Sequence, residues 1–213
     1  MCASRAECSK TLVITRKSEL GELILENPPI CYLRQCFVYD PTTGLFTWKH
    51  RADMPKAWNC KMVGRFAGTV NKKTGQIGLR FHYDGVVYRF LAHRAAWAMT
   101  YDVWPDFIID HRDLNPSNNS IGNLRRADFS LNGANSEKRA GSSKFKGVHI
   151  HKGRITAHIR VKYKQYHLGD FVDEMDAAKA YDAAAVAAFG DFAVTNFKCH
   201  HVDATLRRRF QID

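Results

Sequence analysis

Hydrophobic and polar positions follow two different rhythms along this chain. In the first half, short apolar runs are broken by turn-forming residues. Leu12-Val13-Ile14 predicts a short strand, and residues 19–25 a helical turn or two stopped by Pro28-Pro29. Residues 32–37 predict a short helix. Tyr39-Asp40-Pro41-Thr42-Thr43-Gly44 predicts a turn, with Asp at its start and Gly at its end. Strands are expected over 45–48 and 64–70. Residues 77–82 and 86–91 predict a hairpin whose Asp84-Gly85 favours a tight reversal. Residues 92–99 have helical spacing, and Trp104-Pro105 ends that run. Phe107-Ile108-Ile109 then reads as a short buried strand.

The second rhythm starts after a small, polar and charged stretch, 136–143, which reads as a linker. Residues 147–151, 154–161 and 164–171 alternate as three strands, with Gly153 in the first turn and Lys162-Tyr163 near the second. A helix over 173–189 follows, with Ala177, Ala178, Tyr181, Ala184, Ala185 and Ala188 on one face and Gly190 at its end. Such a small-residue face lets a helix lie close against a sheet. The fold class expected is α+β.

Composition adds the partner. The chain has 213 residues and a formal net charge of +11, long enough for one large domain or two small ones. The positive balance favours a polyanion, nucleic acid first. Lys49, His50, Arg51, Lys56, Lys61 and Arg65 make the first half basic, either as solvated charge or for phosphate contact. Near the C-terminus the charge separates: Lys144, Lys146, Lys152, Arg154, Arg160, Lys162 and Lys164 load the strands, while Asp173, Glu174, Asp176 and Asp182 load the helix. The sheet is therefore the expected polyanion-binding face. Arg207-Arg208-Arg209 adds a basic tail.

Six cysteines without a CxxC pair suit reduced thiols in a cytoplasm better than a zinc site or a disulfide framework. No apolar run approaches membrane-spanning length, and no secretory signal stands at the start. These features predict a soluble intracellular protein with no membrane partner.

Candidate chemistry concentrates between Phe107 and Asn135. Asp110 offers an anionic oxygen to a hard cation, and Asn132 a carboxamide oxygen if its segment folds back as a helix. His111, next to Asp110 on a strand, points to the opposite face and can deprotonate a water. Asn118, Asn119 and Asn123 can bond the backbone of the loop. A lone His such as His93 reads as a packing residue.

The series Asp110-His111, Asn115-Pro116-Ser117-Asn118-Asn119, Asn123-Leu124-Arg125, Asn132 and Asn135 resembles the HNH endonucleases, in particular those of the phage and intron homing type. The resemblance implies a ββα-metal motif. It implies that Asp110 is a metal ligand, His111 the general base and Asn123 the loop brace. Asn132 is then the second metal ligand, in place of the family's final His. The implied ion is Mg²⁺, with Mn²⁺ as the alternative. His93-Arg94-x-x-Trp97 resembles the helix preceding the motif, and Tyr39-Asp40-Pro41-x-x-Gly44-x-Phe46-x-Trp48 an element carried before it.

A second resemblance rests on Gly147-Val148, Ala157-x-Ile159-Arg160, Leu168-Gly169-x-Phe171, Asp176-Ala177-Ala178-x-Ala180-Tyr181-Asp182-x-Ala184-Ala185 and Asn196-Phe197. These resemble the APETALA/ethylene-response-factor type of DNA-binding domain. That likeness implies a three-stranded antiparallel sheet packed on one helix, entering the major groove. By position His149, His151, Arg154, Arg160, Lys162, Gln165 and His167 would contact DNA. Arg160 keeps the family's Arg. His149, His151 and His167 depart from its usual Arg or Trp, which changes the expected target sequence.

The organisation expected is a segment of unknown role over 1–29, a nuclease domain over 30–136, a linker over 137–143, a DNA-binding domain over 144–198 and a basic tail over 199–213. The expected function is a metal-dependent DNA endonuclease of homing type, a monomer with double-stranded DNA as its partner and without a small-molecule cofactor. It would be cytoplasmic, in a bacterial host if phage-encoded. The alternatives are a non-catalytic, sequence-specific DNA-binding regulator with a relic nuclease domain and, behind that, an RNA-binding protein.

Overall fold

The computed structural model describes residues 14–17, 23–25, 27–83, 86–136, 141–197 and 210, with the side chains of 14–17, 23–25 and Tyr83 excepted. The chain divides into two compact units between Arg125 and Arg126. The linker expected over 137–143 lies further along. The reason is packing: Leu131 and Ala134 join the apolar cluster that contains Ile159, Val161 and Tyr181 in the second unit. Leu12, Val13, residues 19–22, Asp84, Gly85, residues 137–140 and nearly all of the basic tail fall outside the described residues.

In chain order the first unit holds β1 (Ile14–Lys17), β2 (Leu23–Leu25), α1 (Ile30–Cys36), β3 (Phe37–Tyr39), β4 (Phe46–Trp48), α2 (Lys56–Met62), β5 (Thr69–Val70), β6 (Ile77–Tyr83), β7 (Val86–Leu91), α3 (Ala92–Tyr101) and β8 (Ile108–His111). A five-stranded sheet has the order β1-β2-β7-β6-β5. β2 pairs with β7 in parallel, and the remaining pairs are antiparallel. Leu23–Leu25 is thus a strand, where a helical turn was expected. Its apolar run gives β7 a partner for backbone groups that an edge would leave open. The strand expected over 64–70 shrinks to Thr69–Val70, with Phe66 forming an isolated bridge to Thr47. Gly64 at φ +77° starts that segment in a turn. Helix α2 has no counterpart in the sequence reading, because its seven residues are too few for a helical period to stand out.

The core of this unit gathers Leu33, Phe37, Phe46, Leu79, Phe81, Tyr88 and the alanines of α3. Phe81 stacks on Tyr88 at 5.1 Å and meets Phe37 edge-on at 5.5 Å. Ala92, Ala95, Ala96 and Ala98 are fully buried, so α3 lies close to its neighbours. Arg51, read as a basic surface residue, is instead 4% exposed and ion-pairs with Asp53.

The division falls inside β9 (Leu124–Ala127), which pairs with β8. The second unit continues with α4 (Phe129–Ala134), β10 (Val148–His151), β11 (Arg154–Val161), β12 (Lys164–Phe171) and α5 (Glu174–Phe189). The three strands form one antiparallel sheet in chain order, as their alternation predicts, and α5 carries the expected buried face of alanines and Tyr181. A bulge between Ala157 and His158 shifts the β11–β12 register. Gly147, at φ +77°, is required there: a Cβ would stand 1.9 Å from Tyr181 Cδ2.

Asp182 was read as helix surface charge but is 4% exposed. Its carboxylate accepts from Asn196 N and Nδ2 and from Phe197 N, which pins the segment after α5 to the helix. Lys146 likewise leaves the basic face. Its ammonium donates to the carbonyls of Ala134 and Ser136, closing the end of α4, and burial pulls its pKa down to about 8 against the attraction of Asp182.

Candidate active site

Strand β8 carries Asp110 and His111 as its last two residues, and both are buried. Strand alternation turns the neighbouring side chains apart. The Asp110 carboxylate receives Arg125 Nε at 2.7 Å from β9. His111 takes other partners: its ring meets that of His93 edge-to-face at 5.3 Å, and its Nε2 lies 3.3 Å from Asn119 Oδ1.

His93 sits on α3, 7% exposed, which fits the packing role expected of it. Burial is the main cause that lowers its pKa to about 3, with the nearness of His111 and Arg94 adding to it. It is therefore a neutral ring at working pH.

The loop from Arg112 to Gly122 is tied by its own amides. Asn123 Oδ1 accepts Asp113 N at 3.1 Å, while Asn123 Nδ2 donates to Asp113 Oδ1 at 2.8 Å and to Asn118 O at 2.9 Å. One side chain thus closes the loop upon itself. Asn118 Nδ2 adds a bond to Asp113 Oδ2 at 2.7 Å. Burial opposes the charge on Asp113, but the donors Asn118, Asn115 N and Asn123 outweigh it and hold the carboxyl below its usual range. Two turns of the first unit support the loop from outside. Ser117 Oγ donates to Gly75 O at 2.6 Å, and Ile121 N donates to Pro41 O at 2.9 Å.

The structure therefore brings Asp110, His111 and Asn123 together in the first unit. Asn132 lies on α4 in the second unit, with an exposed side chain. Helix α4 is capped by Asp128, whose Oδ1 accepts Leu131 N at 2.8 Å. Among the described residues no group of three or more His, Cys, Asp or Glu is placed to hold a metal ion. The expected donors, one acid and one amide, fall below that number. Two pairings that matter here were not read from the sequence: Arg125 with Asp110, and Asn119, read there only as a bonder of the loop backbone, with His111. Arg125 stood in the motif, but alternation along 124–127 gives only its sheet face and not the strand position it meets.

In the second unit one face of the sheet carries His149 and His151 on β10, Arg154, Thr156, His158 and Arg160 on β11, and Gln165 and His167 on β12. Sequence reading missed His158, although the alternation from Arg154 to Arg160 includes it. His158 stands between His149 and His167, with ring centroids 5.5 and 4.9 Å away. Burial, then His167 and His149, lower its pKa, and Asp170 opposes them. Arg154 is bound by Asp170 through two bonds of 2.7 and 2.9 Å. Among the described residues Arg160 makes no ion pair. Lys162 is exposed in the turn at φ +45°, beyond the strands.

Cys31 is disulfide-bonded, whereas Cys36 and Cys60 are free thiols. This departs from the expectation of reduced cysteines throughout. No helix among the described residues is long and apolar enough to cross a membrane.

Residues 90–128 match the family model described as HNH endonuclease. Two rice proteins named APETALA2-like protein 2, from the indica and japonica subspecies, are 49% identical over 69 residues, covering 30% of this chain and 16% of theirs. The Arabidopsis thaliana AP2/ERF and B3 domain-containing transcription factor RAV1 is 42% identical over 88 residues, covering 37% of this chain and 26% of its own. The chain thus spans only a minor part of these curated relatives. A solved structure of DNA binding and cleavage by the HNH homing endonuclease I-HmuI aligns with 21% identity and a TM-score of 0.34, covering 47% of this chain and 51% of that one.

Proposed function

We infer that this chain, which carries an HNH endonuclease segment over residues 90–128, is a divalent-metal-dependent DNA endonuclease of homing type, targeted by the sheet of its second unit. The observation that carries the reading is the adjacent pair Asp110 and His111 on β8, inside the matched segment and turned to different partners.

His111 takes the proton of the attacking water as the water oxygen bonds to phosphorus. Asp110 would hold the ion, with Asn132 as the second donor by its place in the motif. Both are hard oxygens of the kind Mg²⁺ prefers, which leaves most positions to water and phosphate. When bound, the ion supplies positive charge to the phosphate oxygens and the leaving 3′ oxygen. Arg125 fixes the Asp110 carboxylate, and Asn123 fixes the loop that follows His111. Arg160 is the strongest candidate to read bases, because among the described residues no ion pair occupies it and arginine bonds guanine by two donors. His149, His151, Arg154, Lys162, Gln165 and His167 complete the contact face. One site per chain predicts nicking of one strand.

The test is incubation of supercoiled plasmid with the full chain and Mg²⁺ or Mn²⁺, beside His111→Ala and Asp110→Ala. Wild-type protein nicks the plasmid and both variants do not. The second reading, a DNA-binding regulator with a relic nuclease domain, draws on the transcription factor named among the relatives. It predicts a gel shift without nicking under any metal, and that outcome would overturn the nuclease.

A further inference from the structure

The open face of the second unit's sheet carries a row of imidazoles, one from each strand: His149 of β10, His158 of β11 and His167 of β12. Register puts them there. His158 is the cross-strand partner of His167, and His149 pairs with Thr156, two residues before His158 on the same face. The outer two rings belong to exposed residues, and the middle one is half-buried between them.

Three cations at ring spacings of 5.5 and 4.9 Å repel one another. Arg154 and Arg160 of β11 add positive charge to this face, and His151 of β10 stands opposite Arg154. The carboxylate beside the row, Asp170 of β12, lies 3.5 Å from His167 Nε2 but already takes two bonds from Arg154. Helix α5 packs on the other side of the sheet, against Ile159 and Val161, so its charged and titratable groups lie behind the row. Like charge thus holds the row towards its neutral form in the free protein, and burial does the same to His158.

The middle ring can still take a proton without losing its neighbours. Its Nε2 lies 3.2 Å from Thr156 Oγ1, and its Nδ1 3.3 Å from Gln165 Nε2. A hydroxyl both donates and accepts, and a carboxamide offers its N–H or its oxygen by turning over. Both contacts therefore serve a neutral ring and an imidazolium.

We propose that His149, His158 and His167 form a proton-loading row, so that DNA bound on this sheet draws at least one proton onto it. This rests on the reading of the sheet as the DNA-binding face. Phosphate oxygens over the row supply the counter-charge that Asp170 gives to Arg154, and an anion favours the imidazolium. Each proton comes from solvent and adds to a ring nitrogen; no covalent bond of protein or DNA breaks. Groups whose pKa rises in the complex strengthen binding below that pKa, and the gain is lost as pH rises through it.

The experiment uses the full chain and a mixed-sequence DNA duplex at one fixed salt concentration, in EDTA to withhold the metal that cutting would need. Fluorescence anisotropy follows affinity from about pH 8 to about pH 5.5. Wild-type protein binds about fivefold or more tighter at the acid end, as a rise of about one pKa unit requires. With His149→Gln, His158→Gln and His167→Gln combined, the difference falls below about twofold. Histidine NMR titration, assigned by His158→Gln, places the His158 pKa below 6.5 in the free protein and about one unit or more higher with DNA bound. A His158 pKa that DNA leaves unmoved overturns the proposal, as does a triple variant with the wild-type pH dependence. Should the triple variant fail to fold, the wild-type titration decides. Binding that is equally tight across the pH range overturns the proposal alone; no binding at any pH overturns the reading of the sheet with it.

Discussion

Asp110 and Arg125 form an ion pair of 2.7 Å in which the two side chains are only 5% and 7% exposed. The pair fixes the acid at the end of β8 and joins that strand to β9 by side chains as well as backbone. Removing one partner takes from a buried charge the counterion held 2.7 Å away. Arg125→Ala is expected to lower stability by about 3–5 kcal/mol. Urea unfolding followed by circular dichroism measures it, and a loss under about 1 kcal/mol would refute the account.

Asn123 acts through three bonds to the loop after His111. Asn123→Ala is expected to cost about 1–3 kcal/mol, because it removes three part-buried bonds at once. It should also slow plasmid nicking while leaving gel-shift affinity unchanged. Asn123→Asp restores the acceptor to Asp113 N but places two carboxylates together, so it should do no better. Parallel denaturation and nicking assays separate the two effects.

His93 makes stability depend on acidity. Its pKa, about 3, is below the ordinary value of 6.5, so between these the unfolded chain binds more protons than the folded one. Stability therefore rises with pH through that window and is lost as pH falls from 6.5 towards 3, by up to about 1.4 kcal/mol per pH unit. His93→Phe should flatten that slope, whatever it does to stability at pH 7. Unfolding midpoints measured between pH 4 and pH 7, values on the order of those bounds, decide the matter.

Arg160 and Arg154 share one strand face but differ in commitment. Arg154 is held by Asp170, whereas among the described residues Arg160 makes no ion pair. Arg160→Ala is expected to weaken binding to the preferred DNA site by about 1–3 kcal/mol. Arg154→Ala should cost less, since that guanidinium must first leave Asp170. Fluorescence anisotropy at one fixed salt concentration ranks them, and equal losses would show that the ion pair does not matter.

Much of this molecule was legible in its residues. The three strands and long helix of the second unit follow from alternation and from a face of alanines ending at Gly190. The site's outline followed too: β8 ends in Asp110 and His111, and Asn123 braces the loop as its motif implies. These features depend on neighbours within a few residues, where a period or a turn preference writes itself into the sequence.

Tertiary packing decided the rest. Leu23–Leu25 became a strand because β7 offered an edge, and α4 joined the second unit because Leu131 and Ala134 found its apolar cluster. Asp182 and Lys146 left the surface for buried bonds. Arg125 reached Asp110, and the 39–44 turn reached Asn119, across 15 and 80 residues of chain. No local pattern encodes such meetings. Sequence alone determined which residues stand as candidates for the chemistry; only the closing of distant segments on one another decided which partners they meet.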